Sequence, residues 1–319
     1  MLAVHIADGR IEVRRRPRPR RRSGWALLKL RLAGICNTDL ELVRGYYGFR
    51  GTPGHEFVAD VVECDTTALA GRRVVGEINA ACGECEWCRR GLGRHCPRRT
   101  VLGIAGLPGA FSEYFTLPEA NLHLVPDRVA DEEAVFTEPV AAACEILEQA
   151  SLPAGARVAV LGDGKLGLLV AQVLKLSGLD VKLYGRHPAK LAMAAALGIE
   201  TDLAVSMPQA CYDWVVEATG SHDGLERAVS MTRPRGTVFV KSTVHGAVRL
   251  DTAPLVVNEI TLIGSRCGPF PPALELIAGG RLRLRQMITA EYPLAEAARA
   301  FRAAARRGTL KILLRAAAS

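Results

Sequence analysis

A thiol, an imidazole and a carboxylate stand close together in the stretch Gly34–Glu56, as Cys36, His55 and Glu56. Those three donor types suit a zinc ion that keeps one coordination position free for a substrate oxygen. The separation of Cys36 from His55 is too long for one helical turn to join them. On these residues alone, a buried structural cysteine beside a hydrogen-bonded histidine is an equally good reading.

A second group is sharper. Cys82, Cys85, Cys88 and Cys96 follow one another at steps of three, three and eight in a polar loop rich in glycine and arginine. Short C-x-x-C steps let the backbone wrap a tetrahedral ion, and four thiolates leave no open position. An iron–sulfur cluster, disulfides and free thiols are the alternatives, and a closed structural zinc site is the reading adopted. His95, next to Cys96, is a bystander because four cysteines already complete the shell.

The third feature is Gly162-Asp-Gly164-Lys165-Leu166-Gly167. A lone G-x-G-x-x-G means little, but this one follows the compact apolar run Arg157–Leu161 and opens an apolar helical run, inside a unit of βαβ length. The glycines permit a tight turn and close approach to a pyrophosphate, which the helix N-terminus then stabilises. A second strand follows and ends near Gly185. An enzyme using NAD would usually carry an acid there for the ribose hydroxyls. The chain has Gly185-Arg186-His187, so glycine leaves room for a 2′-phosphate and Arg186 can grip it. The alternative is a solvent-facing arginine in an NAD enzyme that tolerates losing the acid. NADP is favoured, with Lys190 as a weaker second contact. Thr219, Ser242 and Ser265 stand at or just beyond the ends of later strands, where a dinucleotide crosses a sheet edge.

These groups need elements to hold them. Trp25–Ala33 reads as a half-buried strand that delivers Cys36 to its end, with Asn37 and Thr38 capping a short helix over Asp39–Arg44. Glu56–Glu63 reads as another strand, and Glu133–Ala150 as a helix in which Glu138 precedes a proline. Taken alone, Glu138 is an ordinary acid in a helix's first turn, favoured by the dipole. From residue 157 strands and helices alternate: helix Pro188–Leu197, strand Asp213–Glu217, helix Leu225–Met231, then strands Thr237–Lys241 and Ile260–Ile263. That alternation is a doubly wound parallel sheet. A strand–helix–strand tail from Ile288 lacks this pattern and returns to the first domain.

The chain has 319 residues, which favours two domains over one core. No apolar run approaches the roughly 18 residues of a membrane span, and the first residues do not read as a secretory signal. Nine cysteines without a secretory context point to metal or catalysis before disulfides. The net charge of +8 would suggest a nucleic-acid partner, but seven arginines lie in Arg14–Arg22, and without them the balance is +1. The prolines in that run favour an extended, solvated loop. No nucleic-acid or membrane partner is expected, and the location expected is cytoplasmic.

Taken together, the G-I-C-N-T-D block, G-H-E, the four-cysteine lobe, E-P and G-x-G-x-x-G occur in an order that resembles the zinc-dependent medium-chain dehydrogenase/reductase, or alcohol dehydrogenase-like, family. The resemblance covers essentially the whole length and is nearest the polyol, sugar and threonine dehydrogenase branch. It implies a mainly β GroES-like catalytic domain, residues 1–136 and 288–319 with a zinc lobe about 80–98, and a Rossmann domain, residues 137–287. It implies Cys36, His55 and Glu138 as catalytic zinc ligands, with Glu56 an adjacent carboxylate that can bind or exchange. Thr38 takes the hydroxyl position that passes the substrate proton toward the cofactor ribose. Glu41 stands where the family often has histidine. Two zinc ions per chain, NAD(P), a secondary alcohol, polyol or sugar substrate, and a homodimer or homotetramer complete the expectation. A catalytically idle member that only binds cofactor is the alternative, against which the intact ligand set argues.

Overall fold

The computed structural model describes residues 1–244 and 246–317. It divides into two compact units, Met1–Glu138 with Ala273–Ser319, and Pro139–Pro272. The return to the first unit thus falls inside the helix Phe270–Ala278, ahead of residue 288 where the sequence pattern places it. The helix opens with Phe270-Pro271-Pro272 at that boundary, and the apolar run that follows carries no strand alternation to mark a change of domain.

The first unit is built on a seven-stranded sheet in the order Leu122–Leu124, Arg73–Gly76, Glu56–Glu63, Trp25–Ile35, Lys311–Arg315 and Ile288–Pro293, with Tyr114–Pro118 also pairing Trp25–Ile35. Leu28, Leu30, Leu32, Val58 and Leu313 are buried in its core. Lys29 stays half-buried and Arg31 exposed, as period-2 alternation requires. The strand runs two residues beyond Ala33, to Ile35, so Cys36 follows the last paired residue directly. The C-terminal strand pairs antiparallel with it, Leu313 opposite Gly34 and Ile312 opposite Ile35. A two-stranded hairpin, Leu2–Ala7 with Arg10–Arg15, stands apart from this sheet.

The second unit is a six-stranded parallel sheet in the order Glu200–Leu203, Asp180–Gly185, Arg157–Leu161, Tyr212–Glu217, Thr232–Val240 and Thr261–Gly264. Its central strands are apolar runs rather than alternating ones, with Val158, Ala159, Val160, Val215, Val216 and Val238 all fully buried, as befits strands covered on both faces. The order reverses between Asp180–Gly185 and Tyr212–Glu217 across Arg157–Leu161, which is where such sheets bind dinucleotides. The edge strand Glu200–Leu203 escapes sequence reading because E-T-D-L carries no apolar pattern.

Three local expectations are corrected. The helix after Cys36 spans Asn37–Val43, and Cys36 itself is its N-cap, not Asn37 or Thr38. The run 133–150 is two helices, Asp131–Ala134 and Thr137–Gln149. The arginine run is not all loop: Arg14 and Arg15 belong to the strand Arg10–Arg15. Beyond them the run is irregular, and its charges are partly answered locally. Arg18 pairs with Glu63, Arg21 with Asp65, and Arg22 lies 3.9 Å over the Trp25 ring.

Candidate active site and cofactor cleft

Antiparallel register assembles the first metal group. Gly34 pairs with Glu56, so Cys36, two residues past Gly34, comes alongside the residues just before Glu56. Cys36, His55 and Glu56 then offer a sulfur, a nitrogen and an oxygen that all lie within 4.8 Å of one another. Sequence separation is thereby removed by sheet pairing. Gly54 must be glycine here: its φ is 101°, and a Cβ would fall 2.3 Å from the Phe111 ring.

The group is held by Asp39, which sequence reading passed over as a helix residue. Asp39 is fully buried. Its carboxylate accepts the Cys36 N–H at 2.8 Å and the Gly54 N–H at 3.2 Å, and its Oδ1 lies 3.4 Å from His55 Nδ1. The last distance gives charge attraction without hydrogen-bond alignment. It still turns Nδ1 toward the acid and leaves Nε2 for a metal, the arrangement that fixes a ligating histidine. Burial alone would lower the His55 pKa, but the Asp39 carboxylate and the Cys36 thiol outweigh it, and the net shift is well upward. The signal was available in sequence, as an acid three residues after Cys36 at the capping-box position. Asp39→Asn is expected to keep the fold and weaken zinc binding at this group by roughly tenfold to a hundredfold. Competitive chelator titration measures this, and an unchanged affinity would remove Asp39 from the site.

Glu56 has a second partner, Lys311 from the C-terminal strand. Both side chains are 1% exposed and in direct contact. Gly34 makes the contact possible, since a Cβ there would sit 2.3 Å from Glu56 Oε2 and 3.2 Å from Lys311 Cδ. Burial opposes the lysine's charge, yet Glu56, Cys36 and Glu138 hold its pKa above the ordinary value. Lys311 lies far from the motifs in sequence, and nothing marks it there. Glu138 is half-buried at the start of the helix Thr137–Gln149. It acts on Lys311 electrostatically but is not among the three groups drawn together. Thr38 Oγ1 is 3.8 Å from the Cys36 sulfur.

The four cysteines of the lobe form the second metal group. A tetrahedral ion with Zn–S near 2.3 Å puts its sulfurs about 3.8 Å apart. The observed separations are 3.8 Å for Cys82–Cys88, 3.5 Å for Cys85–Cys88, 3.7 Å for Cys85–Cys96 and 3.5 Å for Cys82–Cys96. The N–H groups of Glu84 and Cys85 point at Cys82 and bring its pKa down to about 6. The cage fits zinc without rearrangement.

In the second unit the glycine motif forms one wall of a cleft of about 210 Å³ that includes Gly162, Gly164, Gly185, Arg186, Lys190 and Thr219. Gly162 has φ 111°, and a Cβ would lie 2.4 Å from the Ala218 carbonyl; a Cβ on Gly167 would lie 1.8 Å from the Gly162 carbonyl. Gly164 caps the helix Lys165–Leu176, whose first turn holds Lys165 and Leu166. Glu217, 1% exposed, ties the neighbouring strand ends: its Oε1 accepts from Thr219 N–H at 2.8 Å, Thr219 Oγ1 at 2.6 Å and Ser242 Oγ at 3.0 Å. Ser265 is not in this group. Its hydroxyl is buried and accepts from Lys241 Nζ at 2.9 Å. Among the cleft residues that sequence reading did not assign are an acid and a base, Asp163 and Arg227. Asp223 holds Arg227 at 2.7 Å and Arg186 at 3.6 Å.

A thiol–imidazole–carboxylate group, a separate four-thiolate cage and a doubly wound sheet with a glycine turn define a zinc-binding dehydrogenase. Comparison with known proteins agrees. Residues 22–127 match the alcohol dehydrogenase GroES-like domain and residues 166–279 the zinc-binding dehydrogenase domain. A D-arabitol-phosphate dehydrogenase of Enterococcus avium is 30% identical over 90% of this chain and 89% of its own. The alcohol dehydrogenase of Thermus sp. ATN1 superposes with TM-score 0.90 at 30% identity, covering 99% of this chain and 100% of that one. A zinc-binding dehydrogenase of Sinorhizobium meliloti bound to NADP gives TM-score 0.90 at 27% identity over 98% of each chain. The chain belongs to the zinc-dependent medium-chain dehydrogenase/reductase family and is an NAD(P)-dependent oxidoreductase. Among the described residues no helix is long and apolar enough to cross a membrane.

Proposed function

We propose that the protein interconverts a secondary alcohol of a polyol or sugar and the matching carbonyl, with NADP preferred over NAD and two zinc ions per chain. The observation that carries the reading is the Cys36–His55–Glu56 group, an incomplete zinc shell of the kind that leaves room for a substrate oxygen. The named substrates of relatives, D-arabitol phosphate and sorbitol, support the polyol class.

When bound, zinc supplies polarisation of the substrate oxygen, and the nicotinamide supplies or accepts the hydride. The chain's own residues do the rest. Cys36 and His55 would hold the metal, with Glu56 or Glu138 as the carboxylate ligand. Glu56 lies in the donor group, its charge answered by Lys311. Asp39 fixes both Cys36 and His55. The Thr38 hydroxyl, next to the Cys36 sulfur, accepts the substrate proton and passes it on. In the nucleotide cleft Arg186, Lys190 and Arg227 offer three cations to a 2′-phosphate.

Turnover of polyols, aldoses and simple secondary alcohols with NADP⁺ and with NAD⁺, beside a zinc-stripped control, tests this reading. The expected result is zinc-dependent oxidation of a polyol or sugar, faster with NADP⁺. Silence across the panel while NADPH still binds would overturn the substrate class.

A further inference from the structure

Gly185 is not a glycine for backbone reasons. It ends the strand Asp180–Gly185 without entering the left-handed region. What forbids a side chain is Asp163: a Cβ on Gly185 would lie 2.5 Å from Asp163 Oδ2 and 2.7 Å from its Cγ. The room that the missing acid leaves at the strand end is therefore filled by another acid, which arrives from the glycine turn.

Asp163 is 6% exposed and well bonded. Its Oδ2 accepts the Arg186 N–H at 2.8 Å and the His187 N–H at 2.6 Å. His187 Nδ1 lies 3.0 Å from Oδ1 and 3.1 Å from Oδ2. Two consequences follow for a ligand at the end of this strand. The two backbone N–H groups that would otherwise bind an oxyanion are already engaged, so a phosphate there cannot use them. The floor of the cleft also carries a negative charge beneath the cations of Arg186, Lys190 and Arg227.

We propose that Asp163 supplies, from the glycine turn, the carboxylate that the second strand lacks, and that it sets the discrimination between a 2′-hydroxyl and a 2′-phosphate in opposition to Arg186. Its Oδ1, facing only the His187 ring among the contacts made, keeps acceptor capacity for a ribose hydroxyl. A phosphate dianion in the same place is repelled by it. The preference for NADP is then a balance between a buried acid and rim cations, and each side can be moved separately. This inference rests on the reading of the cleft as the ribose end of the cofactor site.

Isothermal titration of the full-length zinc-loaded protein with 2′,5′-ADP and with 5′-AMP, which differ only in the 2′-phosphate, tests it without turnover. Asp163→Asn keeps the shape and removes the charge. It is expected to raise the affinity ratio of 2′,5′-ADP to 5′-AMP about tenfold, whereas Arg186→Ala lowers that ratio by a similar factor. Asp163→Ser, which still accepts from one of the two N–H groups, makes the same comparison if the asparagine variant does not fold. If Asp163 variants leave the ratio unchanged, or weaken both ligands equally, while Arg186→Ala lowers it, Asp163 only braces the turn and the proposal fails with the cleft reading intact. If none of the variants alters either affinity, the cleft is not the ribose site and both fall together.

Discussion

Cys36→Ala is expected to lower the zinc content by one equivalent per chain and to lower turnover by roughly a thousandfold or more, with the fold unchanged. The size follows from the chemistry the metal supplies, since Lewis-acid polarisation contributes several kcal/mol at the transition state. Retention of the fold follows from position. Cys36 lies beyond the last paired residue of its strand, half-buried, with its backbone N–H fixed by Asp39 rather than by its own sulfur. The four-cysteine cage shares no ligand with this group and should keep its ion. Metal analysis by mass spectrometry, read beside kcat and circular dichroism, checks all three parts. Loss of both ions would mean that the two groups are coupled through folding. Full activity with one ion would remove Cys36 from the catalytic metal.

The parts of this site that sequence reveals are those coded by short spacing. The cysteine steps and the glycine motif are local devices, and their geometry follows from a few residues of backbone, so the lobe and the nucleotide turn were legible. Cys36 with His55 was legible only as a possibility, because what joins them is the Gly34–Glu56 register, a property of two strands paired. Asp163 and Lys311 were hidden for a different reason. Each is a charged residue whose meaning comes from where its carboxylate or ammonium is buried, and a single sequence does not display burial of a charge. Gly185 shows the hazard most plainly. Sequence reasoning takes its missing side chain as space for a phosphate, whereas the space is occupied by a carboxylate from another loop. Arg227 was overlooked because it sits in a later helix, Gly224–Met231, whose sequence shows only amphipathic spacing.

The buried pair of Glu56 and Lys311 gives the other large effect. Both side chains are 1% exposed, so neither charge has water to fall back on. Removing one partner from such a pair commonly costs about 3–5 kcal/mol, because the survivor remains buried and uncompensated. Lys311→Met is therefore expected to destabilise the zinc-free protein by about that amount. The loss should be smaller in the zinc-loaded protein, since the freed Glu56 carboxylate lies within 4.8 Å of the donor atoms of Cys36 and His55 and can turn its charge onto the ion. Glu56→Leu combined with Lys311→Met removes both charges and should recover most of the zinc-free stability, as apolar replacement of a whole pair does elsewhere. Denaturant unfolding of the four proteins, each with and without zinc, closes the cycle. Additive single-variant losses with no recovery in the double variant would show that the two charges do not depend on each other. Recovery in the double variant, together with the zinc-dependent difference, would show that Lys311 and the metal compensate the same Glu56 carboxylate. The C-terminal strand would then take part in the catalytic site through a single ammonium group, although no motif in the chain marks it.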